Sequence, residues 1–340
     1  MIRRQSGSRA VFELFAPGLL GPIPMPTDRR PQTPILNLLL ARGRLSTSAG
    51  TDLASALLSR FNTEASAPYC LSVDRPDWDR SGYWMHADPV HLRPDRDLLR
   101  LFDARHLGIS QAEADAMVGE LNAHFRQDGL EFCAPAASRW YLRCEEPPAI
   151  TTQPLERAIG QHVDGLLPAG QDSTRWASLV NEAQMLLFQT PVNQRREAAG
   201  RPAVSGLWTW GGGVWQAPRL ASRLDLIQAK SPLARGLAAA AGITVKPSDA
   251  PWPRGAKAVL AIREDLQDAV LDADDRAWAA AAASIDHQLA PVLEALRSRR
   301  LCRIVVDACD GRCWAITRSD LRRFWRRTRP IADQASGHLH

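Results

Sequence analysis

The sequence predicts an α/β protein: a mostly parallel sheet with helices on both faces, carrying an inserted α+β lobe. Three observations predict it. Residues 83–145 read β-β-α-β-β, which suits one helix packed on an antiparallel sheet. From Ser231 onward, helical patterns alternate with short buried-type strands, as in a parallel sheet covered on both faces. Between these regions lies a polar, Gly- and Pro-rich stretch that reads as a connector. The expected division is a main domain at 1–80 and 173–330, a lobe at 83–148, a connector at 149–172 and a tail at 331–340.

The elements follow in order. A proline-rich run at 22–34 precedes a helical pattern from about Ile35 to Ala41, and a second helix is expected over 51–61. "YCLSVD" (69–74), "YWMHADPVHL" (83–92) and "DLLRLFD" (97–103) read as strands. Ser110 opens a helix with Glu113 three positions on, a capping box, and the pattern runs to Phe125 before Asp128-Gly129. "LEFCAP" and "SRWYLRC" are the next strands, closed by Pro147 and Pro148. In the second half Ser231 caps a helix with Pro232 in its first turn and Gly242 at its stop. "ITV" and "AVLAIRE" are strands. A long helix runs from Asp275 to about Arg299, with Trp278, Ile285, Leu289, Val292, Leu293 and Leu296 on its apolar side and a kink expected at Pro291. "CRIVVDA" and "CWAIT" form a hairpin across Asp310-Gly311. Ser319 then caps a last helix, "DLRRFWRR", with Leu321, Phe324 and Trp325 as its buried stripe.

Composition narrows the class. Apolar residues make 45% and charged residues 23% of the 340, as in an ordinary globular protein. The net charge of +5 is unevenly placed, because 297–329 holds eleven Arg against three Asp. That excess raises nucleic acid or an acidic ligand as a partner, but no helix-turn-helix, zinc-finger or RNA-binding signature accompanies it, and nucleic acid is not the expected partner. No run of 18 apolar residues exists, and Glu13 and Pro17 interrupt the apolar stretch near the N-terminus, so a cytoplasmic protein without a membrane span is expected. The six cysteines lack metal or redox spacing and are expected as thiols.

The richest stretch is 176–213. Trp176, Leu179, Val180, Ala183, Leu186 and Leu187 form a helical stripe, opposite a face of Asn181, Glu182, Gln184 and Gln189. Pro191 ends that helix, and Leu207-Trp208-Thr209-Trp210 reads as a strand running into Gly211, Gly212 and Gly213. Asn193 and Arg196 can project from one turn toward the glycine N–H groups. An anion there would gain charge-assisted hydrogen bonds, so Asn193, Arg196, Trp210, Gly211, Gly212 and Gly213 are candidate ligand-binding residues in a cleft between lobes. The alternative has Asn193 capping a turn, Arg196 pairing with a carboxylate and the glycines in a tight turn. Arg139 and Tyr141, two apart on one strand face, can also reach an anion, or pair with an acidic side chain across the sheet.

This stretch, "PVN-x-x-R-x-x-x-G" followed by "LW-x-WGGG", resembles the centre of cofactor-independent phosphoglycerate mutases of the archaeal type, in the alkaline phosphatase superfamily. It is closer still to bacterial RpfE-type regulatory proteins. "RRPQTPILNLLLARGRLS" (29–46), "SPLARGLAAAAGITV" (231–245) and "IDHQLAPVLEAL" (285–296) are similar to further family segments. The resemblance implies two metal ions and a phosphorylated serine held by Asp and His. The residues depart from that pattern. The first strand, "AVFELF", runs into Ala16-Pro17-Gly18 where the family has Asp-Gly. "REDLQDAVLDADD" (263–275) has carboxylates but no histidine, and Asp307 is followed by Ala308 where the family has Asp-His. In "HADPVHLRPDRD", His86, Asp88, His91, Arg93 and Asp97 are close in sequence, but His86 and His91 point to opposite faces of a regular strand, which favours hydrogen-bonded structural groups over metal ligation.

The expected function is therefore a degenerate phosphoglycerate mutase-like protein, regulatory or ligand-binding, without metal or other cofactor. Its expected partner is a phosphorylated or carboxylate small molecule, or another protein. Two alternatives stay open: an active mutase or phosphatase using manganese or zinc, and a nucleic-acid-associated protein using the Arg-rich C-terminus.

Overall fold

The computed structural model describes residues 10–21, 23, 30–95, 98–220, 222–252 and 256–335. The chain forms two compact units, Met1–Asn62 with Pro218–His340, and Thr63–Ala217.

The first unit contains β1 (Val11–Phe15), α1 (Pro34–Arg42), β2 (Arg44–Thr47) and α2 (Leu53–Phe61) before the chain leaves it. The second unit runs α3 (Ala67–Asp74), β3 (Tyr83–Asp95), β4 (Leu98–Asp103), α4 (Gln111–Phe125), β5 (Leu130–Ala136), β6 (Arg139–Cys144), β7 (Ile150–Thr151), α5 (Leu155–Ala158), β8 (Ala169–Gly170), α6 (Ser173–Gln189), α7 (Pro191–Ala198) and β9 (Gly206–Val214). The chain then returns to the first unit with β10 (Leu226–Gln228), α8 (Pro232–Ala240), β11 (Thr244–Lys246), β12 (Ala258–Ile262), α9 (Asp265–Leu271), α10 (Asp275–Arg297), β13 (Arg303–Asp307), β14 (Arg312–Thr317) and α11 (Ile331–Ala335).

The first unit is built on a sheet of order β11-β10-β12-β1-β13-β14-β2. β1 lies between β12 and β13 and runs parallel to both, with Val11 opposite Ala258 and Arg303. All five residues of β12 are buried, as a strand covered on both faces requires. Phe12 and Leu14 pack in one core with Trp278, Ile285, Leu289 and Val292 of α10. That helix starts under Asp274, whose carboxylate accepts from the N–H groups of Arg276 and Ala277, and it continues through Pro291. The β13–β14 hairpin forms as expected, antiparallel, with Gly311 at φ +90° in its turn.

The second unit holds the predicted β-β-α-β-β series and more. Its sheet runs β4-β3-β6-β5, and β9 lies along the opposite edge of β3, antiparallel, from Tyr83↔Val214 to Val90↔Gly206. This pairing corrects the expected boundaries: β9, with the α6 helix packed behind it, belongs to the unit that contains β3, not to the parallel sheet. The three glycines sit inside β9 rather than after it. α4 is capped as expected, Ser110 Oγ accepting from Glu113 N at 3.3 Å while Ser110 N donates to Glu113 Oε2 at 2.9 Å. Met117, Leu121 and Phe125 of α4 and Trp176 and Leu187 of α6 cover Met85, Ala87, Trp140 and Leu142. Trp176 Nε1 donates to Thr209 Oγ1 at 2.8 Å.

Two further expectations are corrected. "YCLSVD" is the end of helix α3, started by Pro68 in its first turn, and Ala67 to Leu71 are all buried. A fully buried run reads alike as strand or helix, which is why its periodicity misleads. "DLRRFWRR" makes only a 3₁₀ turn at Asp320–Arg322. Phe324 and Trp325 are 80% and 66% exposed, not a buried stripe. The Asp320 carboxylate bonds back to Thr317 N and Oγ1, while Arg323 and Arg326 donate to the carbonyls of Arg42 and Gly43. Arginines four apart also repel along a helix face, so a regular helix gains little here.

Of the expected tail at 331–340, residues 336–340 lie outside the described residues, as does Asp97, and α11 covers the start. No helix among the described residues is long and apolar enough to cross a membrane. The six cysteines carry free thiols.

Candidate functional site

The carboxyl ends of parallel strands are where α/β sheets place their chemistry, so that edge of the first unit comes first. β1 ends at Phe15 and leads into Ala16, whose N–H donates to Asp307 O at 2.9 Å. Gly18 follows at φ +78°, with Gln267 N only 2.7 Å from where a Cβ would stand, so the turn requires glycine. β13 ends at Asp307. Its carboxylate accepts from Ser48 Oγ at 2.6 Å and from Cys309 N at 2.8 Å, so both oxygens are engaged. Burial pushes the Asp307 carboxyl up, against those two hydrogen bonds. Burial likewise lifts Glu264, just after β12, to about 7. Lys230 is held by Asp265 at 2.7 Å and Asp268 at 2.9 Å. Among the described residues no three His, Cys, Asp or Glu side chains are placed to hold one metal ion. This donor set does not fit the two-metal centre that the resemblance implies.

The second unit gathers a different set. Alternation along β6 turns Trp140 and Leu142 into the core under α4 and leaves Arg139 and Tyr141 on the other face, toward α3. There Asp74 receives Arg139 Nε at 2.8 Å, Arg139 Nη2 at 2.6 Å and Tyr141 OH at 2.7 Å. This is the pairing alternative foreseen for Arg139 and Tyr141, made with a residue of α3. The Asp74 hydrogen bonds push Arg139 up, and burial pushes Tyr141 up. His86 of β3 lies beside them, stacked on Trp210 at 4.2 Å and 16° and tilted against Tyr141 at 5.2 Å. Both its ring nitrogens are buried without a protein hydrogen bond, as is Ser66 Oγ. Burial drives His86 down to about 3, so its ring is neutral. Asp88, on the same face, accepts from Trp210 Nε1 at 2.7 Å, and burial lifts its carboxyl to about 7.

The glycines of β9 close this face. Gly211 (φ +62°) donates to Thr152 Oγ1 at 3.3 Å, and its carbonyl accepts from Ser66 N at 3.1 Å. A Cβ at Gly211 would stand 2.0 Å from Ser66 Oγ, one at Gly212 2.4 Å from Tyr83 OH, and one at Gly213 2.5 Å from Ala65 Cβ. Gly211 and Gly213 thus serve close packing of the segment that leads into α3, and Gly212 makes room for the Tyr83 and Met85 side chains of β3. Trp210, Gly211, Arg139 and Tyr141 do converge, around His86, Asp88 and Asp74. Chemically the group combines a neutral imidazole, a carboxyl that titrates near neutrality and a hydroxyl. Neither Ser66 nor Asp88 hydrogen-bonds His86, so the nucleophile–base–carboxylate relay is not assembled.

Asn193 and Arg196 lie elsewhere, on α7, and their expected role as ligand donors is corrected. Thr190 caps α7. Asn193, fully buried, donates to the carbonyls of Leu187 and Val204 and accepts from Val204 N. Arg196 is 0% exposed, with Nε on Pro202 O at 2.9 Å, Nη1 on Glu113 Oε2 at 3.1 Å and Nη2 on Leu107 O. Both tie α7 to its surroundings within the second unit. Sequence reasoning missed Asp74 and Ser66, hidden by the strand reading of "YCLSVD". It set His86 and Asp88 aside as structural, although "H-A-D" at strand spacing was the available signal.

With this geometry in place, comparison with known proteins adds the class. No family model matches the chain. A 2,3-bisphosphoglycerate-independent phosphoglycerate mutase of Methanosarcina mazei is 23% identical over 235 residues, which is 63% of this chain and 57% of that relative. The match thus spans little more than half the relative's length. The solved structure of the PH0037 protein from Pyrococcus horikoshii matches with a TM-score of 0.54 at 16% identity, covering 96% of this chain and 92% of that one. A cofactor-independent phosphoglycerate mutase from Thermoplasma acidophilum matches with a TM-score of 0.38 at 14% identity over 98% and 96% of the two chains. In fold the chain is a mixed α/β protein like the PH0037 protein.

Proposed function

We propose that this chain is a phosphoglycerate mutase-like protein that has given up two-metal phosphoryl transfer and acts, like RpfE-type regulators, by binding a phosphorylated or carboxylate small molecule in the cytoplasm. The observation that carries the reading is the carboxyl edge of the parallel sheet. β1 leads into Ala16, and the carboxylate that ends β13 is already committed to Ser48 and Cys309. Two-metal catalysis clamps the attacking and leaving oxygens with several carboxylate or imidazole ligands at once, and the described side chains at this edge are not grouped to supply them. The test is conversion of 3- to 2-phosphoglycerate with excess manganese. Turnover below about 0.01 s⁻¹ is expected, and turnover of about 1 s⁻¹ or faster, the low end of ordinary enzymes, establishes the active-mutase alternative instead.

A further inference from the structure

The first unit buries a positive charge that no carboxylate among the described residues hydrogen-bonds. Arg263 follows β12 and is 6% exposed. Among the described residues its guanidinium hydrogen-bonds neutral oxygens only. Nε and Nη2 donate to Gln288 Oε1 at 3.1 and 2.8 Å, Nη2 also to Gln228 Oε1 at 3.4 Å, and Nη1 to Ile262 O at 3.1 Å. Among the described residues these contacts leave one of the five N–H groups without an acceptor. Asp265 and Asp249 act on Arg263 at a distance, but neither hydrogen-bonds it. The two amides cannot turn to help further, because Gln228 Nε2 is tied to the Ala250 carbonyl and Gln288 Nε2 to Ser284 Oγ. A fully buried arginine is ordinarily paired, because an isolated buried ion is costly.

This guanidinium lines a cavity of about 220 Å³ at the carboxyl ends of β10 and β12. The other walls are mostly apolar: Phe12, Leu14, Trp252, Ile285 and Val292, with Trp252 stacked on Phe12 at 5.4 Å and 14°. Exposed Asp249 and His287 stand at the rim, Asp249 as its carboxylate. A cation at the end of an apolar chamber matches a ligand with one anionic head and an apolar body. The volume holds a single ring or a short branched chain, below the range of drug-sized pockets. The rim carboxylate opposes a doubly charged headgroup, which favours a carboxylate over a phosphate.

We infer that this cavity binds a small organic monocarboxylate, its head on Arg263 and its body against Trp252 and Val292. The inference deepens the proposed function and rests on it for the view that the chain works by binding. Titration calorimetry of the full chain tests it, with benzoate and inorganic phosphate as probes. Benzoate should bind with a Kd of about 1 mM or tighter, at least about tenfold tighter than phosphate. Arg263→Met should weaken benzoate at least about tenfold while Tm holds or rises, since the variant removes an unpaired buried charge. Ala250→Phe, which fills the chamber beside the charge, should weaken benzoate as well and decides the matter if Arg263→Met does not fold. Absence of benzoate binding, binding undiminished in the folded variants, or tighter binding of phosphate would overturn the inference. Manganese-dependent turnover beside intact benzoate binding overturns only the proposed function. No turnover and no benzoate binding overturns only the inference.

Discussion

The two units each bury an arginine, and they treat it differently. In the antiparallel unit Arg196 is fully enclosed and answered: Glu113 supplies the counter-charge and two carbonyls take the remaining fork. In the parallel unit Arg263 is nearly as buried, yet it faces two amide oxygens and an open chamber. A closed ion pair, with a carboxylate on the guanidinium and each of its three nitrogens engaged, belongs to the framework. An unanswered charge beside a cavity has no framework role of comparable value, and its cost is sensible only if something else completes it. The sequence points the wrong way: it offers Arg196 as the ligand-binding candidate and leaves Arg263 as the first residue of an acidic run.

The contrast can be broken in three ways. The largest effect is expected from Arg196→Ala, which leaves Glu113 and two carbonyls without their partner and should cost about 3–5 kcal/mol in denaturant unfolding. A loss below about 1 kcal/mol would erase the distinction from Arg263→Met, which is expected to cost nothing.

The second concerns pH. Asp88 titrates near 7 when folded and near 3.8 as its reference, so the folded state holds an extra proton between these values and stability falls as pH rises through that window. His86 titrates near 3 when folded against 6.5, so the folded state lacks a proton there and stability falls as pH drops through the window. The two slopes oppose each other between about pH 4 and 6.5 and leave the wild-type Tm nearly flat. Asp88→Asn should uncover a Tm that climbs with pH across that range, and His86→Phe one that declines. Parallel curves for both variants would contradict the assigned burial.

The smallest effect is expected at the surface of the parallel unit. Phe324→Ser and Arg322→Gln should shift stability by no more than about 0.5 kcal/mol, because neither side chain packs into the core. A larger loss would mean that the arginine-rich segment is part of the framework.

What was legible in the sequence follows from the range of the interactions. The capped α4 helix, the β13–β14 hairpin, α8 and the β-β-α-β-β series are set by neighbours within a few residues, and each stands as read. β9 was readable as a strand, but its partner β3 lies more than a hundred residues earlier, so its unit was misassigned. Arg139 and Tyr141 share a face by simple alternation, whereas the carboxylate they meet comes from a helix whose apolar run looked like a strand. Nothing local marks Arg263. Its significance lies in which side chains fail to reach it, and that exists only in three dimensions.

The order of assembly is written into the central position of β1. Its two partners begin at Ala258 and Arg303, so the strand is made long before either neighbour exists. At synthesis rates of about 5–20 residues per second, β1 waits on the order of 10 to 50 s. Thr63–Ala217 leaves the ribosome complete in that interval and can close its own sheet first. Meanwhile the apolar segment Val11–Phe15 has an unpaired edge on each side, the state in which strands find wrong partners. The interrupted unit therefore cannot complete its sheet until β12 and β13 have been made, whereas the inserted unit by then has all of its strands.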